Sequence, residues 1–220
     1  MTLVCGVDVG SFQTPAYVAW LDGLVFESEA YLPSAEQPLP RRYEPTAYAL
    51  DAPQSLPRLG RSRRSADVGA KTPTSVLPTS RAGIAAMPIY RQFVEAGVEI
   101  FWSAQRSGLG AVPGLGGSGP VLLETYPRFV IRSLWPDLRP IPSKRKASRD
   151  YIDALWPRIR DLGLSGPEPR RHDEIDALLC ALAAKAWTED QAVLVGEPPE
   201  LDEDEGVLRE GFIVCPRGPH

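Results

Sequence analysis

Asp22-Gly23 separates two runs rich in β-formers, PAYVAWL at 15–21 and Leu24–Leu32. An Asp-Gly pair between such runs is a strong signal for a two-residue hairpin, so the two runs are predicted to pair antiparallel. A third run precedes them, TLVCGVDV at 2–9, short and apolar, with Asp8 near its end and Gly10-Ser11 behind it. It reads as a buried strand running into a turn. The chain therefore opens as a β-meander, and a sheet begun this way has faces that the rest of the chain must cover.

The cover is legible further on. Residues 46–51 (TAYALD), 120–126 (PVLLETY) and 211–216 (GFIVCP) are predicted strands. Residues 84–96 suggest a helix with Pro88 in its first turn. Residues 147–162 fit an amphipathic helix carrying Tyr151, Ile152, Leu155, Ile159 and Leu162, kinked or split at Pro157. HDEIDALLCALAAKAW at 172–187 is the clearest helix, with Ile175, Leu178, Leu179 and Leu182 as its apolar stripe. Between these lie a Pro-rich stretch at 33–45, a long Pro/Ser/Thr/Arg-rich loop at 53–80 and a glycine-rich, flexible segment at 108–119. The expected fold class is α/β: a mixed five-stranded sheet with an antiparallel N-terminal meander and helices on both faces. Residues 1–188 form the expected domain, and the acidic segment and C-terminal strand of 189–220 pack on it.

The 220 residues suffice for one domain with a sizeable core. No apolar run reaches the roughly 18 residues of a membrane span. The N-terminus shows no basic n-region and no long apolar h-region, so a signal peptide is not expected. Cys5, Cys180 and Cys215 are odd in number and widely spaced, which fits reduced thiols in a cytoplasmic protein and shows no metal spacing. The net charge of −4 is unevenly distributed: residues 189–210 hold nine acids and one base, residues 1–188 hold 22 bases and 19 acids. Arg58, Arg61, Arg63 and Arg64 form one basic cluster, and Arg139, Lys144, Arg145, Lys146 and Arg149 another. Either is an ordinary solvated surface or a place for phosphate.

Five acids carry the chemical signal. Asp8, Asp51 and Glu124 stand at or near the ends of predicted strands one, four and five. Sites in open α/β sheets lie beyond the carboxyl ends of parallel strands, so these three are expected to converge. Asp173 and Asp176 are three apart on the last helix and share a face. Clustered carboxylates repel and resist desolvation unless cations neutralise them. With oxygen donors and no convergent His or Cys, the expected ion is Mg²⁺ or Mn²⁺. Two such ions about 3.5–4 Å apart activate water and stabilise the leaving oxygen in phosphoryl transfer. Three of the acids also have a plain structural reading: Asp8 and Asp51 as turn formers, Asp173 as a helix-dipole partner.

GVDVGS at 6–11, LDAP at 50–53, RAG at 81–83, ETYPR at 124–128 and HDEIDALLCALAA at 172–184 together resemble the domain of unknown function 429 family. That family is described as predicted nucleases of RNase H-like fold, related to RuvC-type Holliday-junction resolvases. The resemblance implies a metal-dependent nuclease in which Asp8, Asp51, Asp173 and Asp176 are metal ligands. By the same resemblance Glu124 joins the metal site or binds Arg128. Asp51 stands where the resolvase has a longer Glu, which implies contact with a metal through water. Arg64, Arg128, Lys144 and Lys146 are the expected contacts to a nucleic acid, whether DNA or RNA. Two other classes fit parts of the pattern. GVDVGS also resembles the phosphate hairpin of actin-like ATPases and sugar kinases, and a non-catalytic scaffold could keep the same fold.

Overall fold

The computed structural model describes residues 2–34, 36–73, 76–144 and 146–218. Arg145 of the second basic cluster lies outside the described residues. In chain order the elements are β1 (Leu3–Asp8), β2 (Ala16–Asp22), β3 (Val25–Tyr31), β4 (Ala47–Asp51), α1 (Ser65–Ala70), α2 (Arg81–Ala85), α3 (Arg91–Ser107), β5 (Val121–Thr125), α4 (Pro127–Leu134), α5 (Ser148–Asp161), α6 (His172–Thr188), β6 (Ala192–Asp202) and β7 (Val207–Pro216). The strands make one mixed sheet of order β3-β2-β1-β4-β5-β7-β6. It has seven strands rather than the expected five.

The opening meander forms as expected, with the turn shifted by one residue. Asp22 pairs with Val25, so Gly23-Leu24 is the loop. Gly23 takes φ 61, which suits glycine at the first central position of a hairpin turn. β4 and β5 then run parallel to β1, as strands reached through long crossovers can.

The extra strands come from the acidic C-terminal segment. β6 and β7 pair antiparallel, and β7 adds in parallel to β5. β6 is an edge strand with an irregularity between Glu197 and Glu200, where Pro198 and Pro199 sit. An edge tolerates prolines and carboxylates because half its backbone groups face solvent.

Strand alternation assigns each side chain to one of two cores. Val4, Ala19, Ala47, Ala49 and Leu123 face α4, α5 and α6. Cys5, Val7, Trp20, Tyr48, Leu50 and Leu122 face α3 through Ala96, Ile100, Phe101 and Ala104. α6 is buried from Ile175 through Ala184, not along a stripe alone, because the sheet covers one side and α4 and α5 the other. A Cβ on Gly6 would stand 2.0 Å from the Ala177 carbonyl oxygen and 2.1 Å from the Ala181 nitrogen. Glycine there lets α6 lie directly on β1.

One local expectation is corrected and two are refined. Residues 84–96 are not one helix: α2 ends before Pro88 and α3 begins after it, since an interior proline would remove a helical hydrogen bond. α5 is not split at Pro157, which lies inside a single element. The glycine-rich segment is anchored, with Ala111 bridged to Val121 and Val112 buried. Cys5, Cys180 and Cys215 are free, in line with their odd number and wide spacing, and all three are buried. Among the described residues no helix is long and apolar enough to cross a membrane.

Candidate metal centre

Asp8 ends β1 and Asp51 ends β4, and the two are register partners on adjacent parallel strands. Both follow the parity that sends Val4 and Ala49 toward α6. From α6, Asp176 comes to meet them, held at this depth by the close contact of Gly6 with the next residue, Ala177. One carboxylate oxygen from each of Asp8, Asp51 and Asp176 lies within 4.8 Å of the other two. Three elements far apart in sequence thus place three hard donors around one point.

The arrangement is costly without a cation. Burial, then the neighbouring charges of Asp176 and Asp51, push the Asp8 carboxyl well above its ordinary range. Burial likewise raises Asp51, to about 7, with Lys144 opposing and Asp176 and Glu124 reinforcing the shift. Asp176 is fully buried. Its Oδ1 accepts from the Tyr151 hydroxyl at 2.6 Å, and its Oδ2 pairs with the Lys144 ammonium. Burial alone would lower the Lys144 pKa; Asp176, Asp51 and Asp8 outweigh it and hold the ammonium above the ordinary lysine value.

Glu124 does not join this group. Its register partner is Leu50, on the α3 side of the sheet, while Asp51 pairs with Thr125. Strand parity therefore aims Glu124 away from the three aspartates. Its carboxylate instead accepts from Arg64 Nη1 at 2.6 Å and Nη2 at 2.7 Å, and from the Gln54 amide at 2.9 Å. The partner is Arg64, not Arg128. Asp173 lines the same cleft as Asp8 and Asp51 but lies outside the close group. It faces Arg171 and His172, the latter at 3.0 Å.

Of the four basic residues expected at a phosphate, Arg64 is corrected. It is 1% exposed. All five of its N–H donors are used, on Asp67, Glu124 and Ser55. None remains for a ligand. Its neighbours Arg58 and Arg61 pair with Glu197, and Arg58 also with Glu200. The first basic cluster is thus largely spent on the acidic hairpin. Lys146 is exposed and not part of the cleft wall. Lys144 and Arg128 do line it. Arg128 reaches the Pro142 carbonyl at 3.4 Å, and among the described residues no carboxylate pairs with it.

The cleft above the aspartates encloses about 570 Å³. Tyr90, Phe93 and Tyr126 supply aromatic surface to its wall. Tyr90 has φ 63, a left-handed conformation uncommon for a non-glycine residue, at the start of α3. Two residues near the aspartates carry no site signal in the sequence: Tyr151, read as part of an apolar stripe, and Thr125, which lines the cleft beside the more conspicuous Glu124 and donates its hydroxyl to the Val214 carbonyl at 2.7 Å. Parity counted from Asp51 would have found Thr125.

A family model described as "Protein of unknown function (DUF429)" matches residues 6–201. No curated protein and no solved structure matches.

Proposed function

This chain belongs to the DUF429 family, and on that premise we propose that it is a divalent-metal-dependent nuclease of RNase H-like fold, hydrolysing phosphodiester bonds in DNA or RNA. The observation that carries this reading is the meeting of Asp8, Asp51 and Asp176 within 4.8 Å, the first two of them lining the cleft. Support for the fold comes from the strand order β3-β2-β1-β4-β5, with an antiparallel meander followed by parallel strands. The donor set fits Mg²⁺ or Mn²⁺: it is all carboxylate oxygen, and burial together with neighbouring acids raises the Asp8 and Asp51 carboxyls. A bound divalent ion supplies Lewis acidity, lowering the pKa of water and polarising a phosphoryl oxygen.

The protein's own groups do the rest. Asp8 and Asp51, fixed by strand register, would hold the ion together with Asp176. Tyr151 and Lys144 hold the rotamer of Asp176 from two sides. Arg128, which has no acidic partner among the described residues, meets the phosphate backbone at the cleft wall. Tyr90, Phe93 and Tyr126 offer surfaces on which unpaired bases stack. Water adds to phosphorus, the bond to the leaving oxygen breaks, and that oxygen takes up a proton.

The test is cleavage of end-labelled single- and double-stranded DNA and RNA with Mn²⁺, Mg²⁺ or chelator. Metal-dependent cutting by the parent and none by Asp8→Asn supports the reading. Equal cutting by both, or none under any condition, overturns it. A kinase of the actin-like class closes two sheet domains around ATP, whereas the described residues form one sheet.

A further inference from the structure

The position of Lys144 deepens that reading. Its Nζ is bonded to Asp176 Oδ2, and its charge acts on Asp176, Asp51 and Asp8 together. The ammonium thus lies among the same three carboxylates that a metal would need. The side chain is 34% exposed while Asp176 is fully buried, so the lysine reaches in from the cleft wall, from the segment between α4 and α5. Tyr151 donates to the other oxygen of Asp176. The outer acids that would extend the ligand set are engaged: Glu124 by Arg64, Asp173 by Arg171 and His172.

Charge balance then decides how many ions fit. Three carboxylates against one ammonium leave a deficit that one divalent ion cancels. Two divalent ions would leave a buried site strongly cationic before any phosphate arrives, and the second would need the Asp176 oxygen that Lys144 holds. We propose that the centre holds a single divalent ion, and that Lys144 supplies the second positive charge in place of a second metal. This departs from the two-ion arrangement expected from the sequence and rests on the metal-dependent reading above. Lys144 keeps its single positive charge in place without the exchange of a second ion, so the reaction depends on the first power of metal concentration.

The experiment counts ions without reference to cleavage. Mn²⁺ is titrated calorimetrically into the full chain, and the bound ion is read by electron paramagnetic resonance. Two Mn²⁺ ions about 4 Å apart are spin-coupled, whereas one alone gives a six-line signal. The expected result is one ion per chain in the parent and in Lys144→Arg, rising to two spin-coupled ions in Lys144→Gln, with binding lost in Asp8→Asn. Two coupled ions in the parent overturn the proposal and leave the metal-dependent reading standing. One ion in a folded Lys144→Gln overturns it likewise. No saturable binding to the parent, or undiminished binding to Asp8→Asn, overturns both. If Lys144→Gln does not fold, the parent and Lys144→Arg stoichiometries decide.

Discussion

Asp8 and Asp51 are register partners at the carboxyl ends of adjacent parallel strands, and both turn toward α6. The pairing places like charges side by side in a poorly solvated corner. Replacing one with a neutral isostere removes repulsion as well as a ligand. Asp8→Asn is expected to melt higher than the parent without metal, by about 1 kcal/mol of stability, as often follows when a strained functional site is relaxed. It should also lose the rise in melting temperature that Mn²⁺ gives the parent by mass action. Thermal melts with and without Mn²⁺ check both. A metal-free variant less stable than the parent would assign Asp8 a structural role.

Gly6 sets how near α6 approaches β1. An alanine there places a methyl on the Ala177 carbonyl and the Ala181 nitrogen, both backbone atoms that cannot rotate aside. The helix must lift, and Asp176, next to Ala177, lifts with it. Gly6→Ala is expected to cost about 1–3 kcal/mol by overpacking, and to weaken Mn²⁺ binding at least tenfold in the protein that remains folded. Denaturant melts and calorimetry at low temperature separate the two effects. Unchanged metal affinity would show that the Asp8–Asp176 spacing does not depend on this contact.

How far the sequence reveals all this depends on which residues are asked. The meander and the positions of Asp8 and Asp51 follow from apolar runs, turn residues and strand ends, whereas Asp176 is reached only through its helix face and the family resemblance. The C-terminal edge strand is hidden, because β6 carries acids and two prolines, which read as a solvated segment rather than a strand. Only its partner β7, mostly apolar, carries a strand signal. Glu124 is misplaced for a different reason: a charge in an apolar strand announces a partner but not its direction, and one step of parity sends it to the other face. Arg64 looks like surface in a loop of Pro, Ser and Arg. Its burial is decided by Asp67 and Glu124, whose positions depend on the finished fold.

The Arg64 ion cluster gives a prediction that separates stability from metal chemistry. Arg64→Met leaves Glu124 and Asp67 buried without their cation. Removing one member of such a buried group costs about 3–5 kcal/mol. Arg64→Lys should recover only part of the loss, since an ammonium cannot reproduce the five-donor fork. Neither change touches the three aspartates, so folded protein should bind Mn²⁺ within about twofold of the parent. Urea melts and calorimetry on the same samples test this. A stability change under about 1 kcal/mol, or a lost ion, would contradict the assignment of Arg64 to the scaffold.

Asp51 gives the pH dependence of the same centre. Its folded pKa is raised to about 7, chiefly by burial, from an ordinary value of 3.8. A carboxyl raised on folding binds its proton more tightly in the native state. Its contribution to metal-free stability is therefore greatest below pH 3.8 and is lost as pH rises toward 7. Metal binding runs the other way, because the ion must displace that proton. Mn²⁺ affinity is expected to fall as pH drops below about 7, by roughly tenfold per unit for each proton displaced. In Asp51→Asn the slope should be shallower by about one proton, while Asp8 still contributes its own, since its carboxyl is raised too. Calorimetry in two buffers of different ionisation enthalpy counts the released protons directly. An affinity flat between about pH 5.5 and 7.5 would show that Asp51 is already ionised there, and that Lys144 alone offsets its burial.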